Sequence, residues 1–118
     1  MNIRQGDLYW LQASRPDGAD TGHAHPYVVI QDDLINQSRI PTVVVCALTS
    51  NQKRMNEPGN VRLEAGEANL TKPSVVVVSQ VEAVAKTALG EYIGSLSQER
   101  ITQIFAGMRL QQSAFYRS

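Results

Sequence analysis

The chain has 118 residues, and Lys+Arg and Asp+Glu both number 11, so its formal net charge is zero. That length fits a single domain, residues 1–118, able to bury roughly two thirds of its unfolded surface. The charge balance excludes a global basic field, so any nucleic acid must be held by a local patch.

The single Cys46 excludes an intrachain disulfide framework and fits a reducing compartment. Set inside an apolar run with no basic sequence neighbour, it reads as a small buried hydrophobe rather than a reactive thiol. The N-terminal residues lack an apolar signal core, and no window reaches the roughly 18 apolar residues of a membrane span. The expected setting is the cytoplasm, with no membrane.

Residues 7–12 follow Gly6 and read as a first strand. Tyr9 and Trp10 fall on its opposite faces, one for the core and the other for base stacking or a dimer contact. Residues 13–24 hold Pro16, Gly18 and Gly22 among polar residues, which is the chemistry of a long exposed loop. Residues 27–31 form a second strand. Asp32 or Asp33 can cap one turn over 32–38. Pro41 stands where a strand begins, and 42–49 is apolar on both faces, hence a central strand.

Residues 51–60 are a second exposed loop, 61–64 alternate as a half-buried strand does, and 65–72 connect. Residues 74–81 make a fifth, buried strand, 87–89 one turn, and 91–94 a short last strand. The period then changes. Ile101, Ile104, Phe105 and Met108 make one apolar helical stripe over 98–112. Ser97 is its N-cap, and Leu96 can staple to Ile101. Gly107 weakens the helix by up to ~1 kcal/mol relative to Ala. Short strands with one terminal helix imply a small, twisted, partly closed barrel covered by that helix.

Chemistry gathers at strand tips. His23 and His25 share a face if that segment is extended. They fit a general acid/base or phosphate-binding role, two solvated loop histidines, or part of a metal site for which only Asp20 offers a third ligand. Thr49 and Ser50 can hydrogen-bond a phosphate oxygen or cap the following loop. Lys53 and Arg54 form a small basic spot, either solvated or in contact with backbone phosphate. There is no Ser-His-Asp order, Gly-rich phosphate loop or Cys-x-x-Cys.

Three places resemble the MazF/PemK (Kid-like) toxins of bacterial toxin–antitoxin pairs: Gly6-Asp7-Leu8-Tyr9-Trp10, the stretch from Gly18 to Pro26, and the run from Thr42 to Thr49. A fourth, from Val75 to Val81, carries Gln80 at the family's Gln. The resemblance implies a mainly β fold, an SH3-like barrel with a C-terminal α-helix, and a homodimer. It also implies a metal-independent endoribonuclease, with no cofactor, that cuts single-stranded mRNA by attack of the 2′-OH on the adjacent phosphate. Thr49 matches the family's Thr, His25 stands where it has a phosphate-stabilising Arg, and Asp20 matches a loop Glu.

The catalytic residues so implied are His25, Thr49 and Asp20, and the RNA-contacting ones are His23, Ser50, Lys53, Arg54 and Gln80. Ser79 replaces the family's acid and cannot act as a base. A cognate antitoxin is implied as partner, docking at the 51–59 or 13–24 loops. The alternative reading is a non-catalytic toxin of the same fold that inhibits a protein target such as DNA gyrase, to which Phe115 and Tyr116 in the tail would be relevant.

Overall fold

The computed structural model describes residues 2–12 and 24–117, with side chains in the last helix as far as Ser113. The first strand, β1, spans Asp7–Leu11, and β2 spans His25–Val29. A single helical turn, α1, covers Asp33–Asn36, and β3 follows at Thr42–Thr49. β4 is Val61–Leu63, β5 is Ser74–Ala85 and β6 is Tyr92–Ser95. The chain ends in helix α2, Gln98–Arg117.

The strands form one six-stranded antiparallel sheet in the order β4-β5-β3-β2-β1-β6. Sheet twist curls it into a half-barrel. β4 and β6 are its two edges and are not hydrogen-bonded to one another.

β3 lies inside the sheet and is buried on both faces, as its β-branched run predicts. Val43 and Val45 are fully buried among Ile3, Tyr9, Leu11, Val29 and Leu89. Cys46 and Leu48 face the opposite cluster, which holds Leu8, Val28, Leu63, Val76, Val78 and the helix residues Ile101, Ile104 and Met108. Each such side chain contributes on the order of 1.5–3 kcal/mol by leaving water. Burial pushes the Cys46 thiol up to about 12, so it packs as a hydrophobe.

Local signals place the helices. Asp32 Oδ1 accepts from the Leu34 N–H at 2.8 Å and caps α1. Ser97 Oγ accepts from the Arg100 N–H at 3.2 Å, so the cap of α2 is present, and Leu96 and Ile101 lie in the same core cluster.

Gly107 has a reason that helix propensity does not show. A Cβ there would lie 2.0 Å from the Gly59 carbonyl oxygen, and one on Gly59 (φ +89°) would lie 2.6 Å from the Gly107 oxygen. Two backbones touch, and only glycine permits it.

Several boundaries differ from the sequence reading. β2 begins at His25 rather than residue 27, because His25 already pairs with Leu11. α2 continues past residue 112 to Arg117. β5 continues past Val81 to Ala85, because residues 81–85 pair with 42–46 of β3 although their side chains are not a solid apolar run.

Candidate functional site

The antiparallel register brings the start of β2 and the end of β3 to one end of the sheet. Trp10 pairs with Pro26 and Leu11 with His25, while Tyr27 pairs with Ala47. Two residues further along from that last pair stand His25 and Thr49. Both line a groove of about 920 Å³.

β5 completes the wall through an irregularity. Cys46 pairs with Val81 and Leu48 with Val76, so Val77, Val78, Ser79 and Gln80 stand against Ala47 alone. A strand with extra residues bends and re-aims its side chains. The Val77 carbonyl turns to accept from Cys46 Sγ at 3.1 Å, and the Val78 N–H donates to Asn60 Oδ1 at 3.1 Å. Ser79 and Gln80 emerge exposed into the groove.

The third wall is the turn at Glu67–Asn69 and the segment after it. Ala68 (φ 49°) and Asn69 (φ 64°) adopt left-handed backbone, uncommon for non-glycine residues. Packing holds them there. Gly94 lies so close that a Cβ on it would be 2.3 Å from the Ala68 carbonyl oxygen, and Asn69 Nδ2 donates to the Ile93 carbonyl at 2.9 Å. Asn69, Thr71 and Lys72 thereby face the groove.

The predicted site residues do not all share one environment. Thr49 Oγ1 accepts from the Asn51 N–H at 3.2 Å, the loop-capping role, which leaves the hydroxyl proton to be donated. Ser50 and Gln80 line the groove and are exposed. Arg54 lines it too, but its guanidinium is committed to Glu57, with Nη2 to Oε1 at 3.0 Å and a shorter contact through Nε. The hydrogen bond from Arg54 holds the Glu57 carboxyl below its ordinary range.

Lys53 is exposed on the helical turn at Gln52–Asn56 and is not among the residues that line the groove. Asp20 and His23 lie outside the described residues, as do the side chains of Phe115 and Tyr116. No group of three His, Cys, Asp or Glu side chains is arranged to hold a metal ion among the described residues.

The choice between Tyr9 and Trp10 resolves. Tyr9 is buried, its ring edge-on to Tyr92 at 5.7 Å, and burial beside Asp7 raises its phenol above the ordinary range. Trp10 is 40% exposed and lines the groove, where its face can stack on a base.

The sequence reading does not single out Asn69, Thr71 or Lys72. Lys72 stands alone in a connector with no periodicity. Glu82 stands beyond Val81, where the apolar run ends, so sequence alone gives it no strand position, whereas β5 includes it.

The sequence profile described as "PemK-like, MazF-like toxin of type II toxin-antitoxin system" matches residues 4–111. The chain belongs to this family. It is 33% identical over 109 residues to endoribonuclease MazF2 of Mycobacterium bovis and, equally, to endoribonuclease MazF6 of Mycobacterium tuberculosis, covering 92% of this chain and 96% of each relative.

Solved structures of MazF-type toxins share the fold. An endoribonuclease in complex with its cognate antitoxin from a mycobacterial species superposes with a TM-score of 0.75 at 19% identity, covering 94% of this chain and 95% of that one. MazF from Deinococcus radiodurans gives 0.75 at 18% identity, covering 96% and 98%. Within the PemK/MazF-like family the curled sheet and C-terminal helix are thus the shared frame. No helix among the described residues is long and apolar enough to cross a membrane.

Proposed function

We infer that this PemK/MazF-like toxin is a sequence-specific endoribonuclease that cuts single-stranded mRNA in the groove between β2, β3 and β5. The observation that carries the reading is His25 and Thr49 in one groove with the exposed ring of Trp10, in a chain whose relatives are named endoribonucleases.

The chemistry is an internal transesterification. The 2′-oxygen bonds to phosphorus as its proton passes to a carboxylate, the role assigned to Asp20. The P–O5′ bond breaks, and His25 gives its proton to the departing 5′-oxygen. Thr49 donates its hydroxyl proton to a non-bridging phosphate oxygen, stabilising the charge that builds there. The products are a 2′,3′-cyclic phosphate and a 5′-OH.

An imidazole does what an Arg at this place cannot, because it can release a proton near neutral pH. His23, Ser50, Arg54 and Gln80 are assigned to RNA contact, and Lys72 joins them in place of Lys53. The protein is expected to work in the cytoplasm as a homodimer held in check by a cognate antitoxin. The co-complex of a similar toxin with its antitoxin supports that partner. No observation favours the gyrase-inhibiting alternative.

The test is a defined RNA incubated with the protein and EDTA, with cut positions and end groups identified. Cyclic phosphate and 5′-OH ends are expected. His25→Ala should lower the rate by roughly 10²–10⁴-fold. Cleavage by the Ala variant at the parental rate would remove His25 from the mechanism.

A further inference from the structure

Glu82 is the unexplained group in the groove. It lines the wall on β5, half-buried, and its Oε1 is buried without a hydrogen-bond partner among the described residues. A buried acceptor left unmatched is costly, and native proteins rarely keep one without a use. Its neighbours do not supply that use. Glu82 stands opposite Val45, on the face that carries Val29, Val43 and Val84. Of the cations near the groove, Arg54 is paired with Glu57, Lys86 Nζ donates to the carbonyls of Asn36 and Ser38, and Lys72 forms no ion pair with Glu82 among the described residues.

We propose that Glu82 is a specificity-determining residue that reads the Watson–Crick edge of a guanine next to the cut. The proposal rests on the RNA-cleaving reading above. A carboxylate is repelled by every phosphate of the strand, so the RNA can meet it only with N–H or O–H donors. The 2′-OH at the cut is too distant. Thr49 pairs with Val75 whereas Glu82 pairs with Val45, a separation of roughly 13 Å along β3 at the usual rise per residue. A proton acceptor needs to come within about 3 Å.

That leaves a base of a neighbouring nucleotide, whose edge is open in single-stranded RNA. Guanine alone turns two adjacent donors, N1–H and N2–H, toward a two-oxygen acceptor, which Glu82 becomes when its side chain swings Oε1 out into the groove. Adenine and cytosine set a ring acceptor beside their amino group, and uracil flanks its N–H with two carbonyls. In each of those cases the second carboxylate oxygen would face a like charge.

The experiment begins from a mapped cut. A short single strand spanning it is made with guanine and, in turn, with hypoxanthine, which lacks the 2-amino group. The parental protein should lose roughly 10- to 100-fold in kcat/KM on the hypoxanthine strand, as for one hydrogen bond to a charged group. Glu82→Gln, which turns an amide donor toward the base, should cut both strands alike.

Cuts without a nearby guanine, or equal cutting of the two strands by the parental protein, overturn the proposal. So does a Glu82→Gln variant that slows every sequence equally, which would make the carboxylate a general participant. A variant with unchanged sequence preference but weakened self-association or antitoxin binding assigns Glu82 to a protein cation instead. If the variant does not fold, the two-strand comparison on the parental protein still decides. If the protein cuts no RNA, the cleavage reading falls by itself, and binding of the same two strands, measured by fluorescence anisotropy, tests the recognition separately.

Discussion

The two halves of β5 lie in one strand and serve opposite ends. From Ser74 to Val78 every residue is buried, packed beneath β4 and α2. From Ser79 to Ala85 exposed and half-buried residues succeed one another, and β4 pairs only with residues 74–76. The division falls at the irregularity opposite Ala47. One strand thus anchors the core with its first half and builds a groove wall with its second. Apolar burial fixes where the wall stands, while the wall's own side chains are left to meet a ligand.

That division is broken most directly by Leu63→Ala, which empties a fully buried position beside the first half of β5. A loss of about 2–5 kcal/mol is expected in urea unfolding. Gln80→Ala, in the second half, should stay within about 0.5 kcal/mol. Comparable losses for both would mean that the second half is structural after all.

Gly107→Ala comes next. Helix propensity alone predicts a gain of up to ~1 kcal/mol. The 2.0 Å approach to the Gly59 carbonyl predicts a loss of about 1–3 kcal/mol. The sign of the change in unfolding midpoint decides between them.

These two positions also show what was legible beforehand. β3, the Asp32 and Ser97 caps and the stripe of α2 were readable, because each follows from a period or a local hydrogen bond. Gly107 was misread because its reason is a partner 48 positions away in the chain, Gly59. The second half of β5 is not legible beyond Val81, because Glu82, Ala83 and Ala85 carry no apolar run, although their backbones pair with β3. In the groove, His25 and Thr49 are legible as polar tips of apolar strands. Lys72 and Asn69 reach it only through the left-handed turn that Gly94 accommodates, and nothing local in sequence announces that turn.

A smaller effect tests how firmly that turn is held. Arg100 donates to Glu67 at 2.8 and 3.0 Å, tying the turn to α2. This hydrogen bond holds the Glu67 carboxyl below its ordinary value of 4.5. A depressed folded-state value means the contribution is present above the unfolded value and is lost as pH falls through the folded one. Discounted for solvent screening of a part-exposed pair, Glu67→Gln should cost about 1 kcal/mol at pH 7. The difference between variant and parent should shrink as the pH drops below about 4.5. A pH-independent difference in melting temperature would assign the effect to packing instead.

The smallest change separates two lysines that sequence alone cannot rank. Lys53 sits beside Arg54 in an evident basic spot yet lies off the groove, whereas Lys72 stands alone in sequence and lines it. A phosphate contact by one cation adds about 0.7 to the slope of log affinity against log salt for a single strand. Lys72→Ala should therefore flatten that slope by about 0.7 and weaken all RNA sequences alike, because a phosphate contact carries no base information. Lys53→Ala should leave the slope unchanged. Binding is best read on His25→Ala protein, so that the strand stays intact during titration. If the Lys53 variant flattens the slope and the Lys72 variant does not, the RNA runs over the outer face of the 51–60 loop rather than along β5.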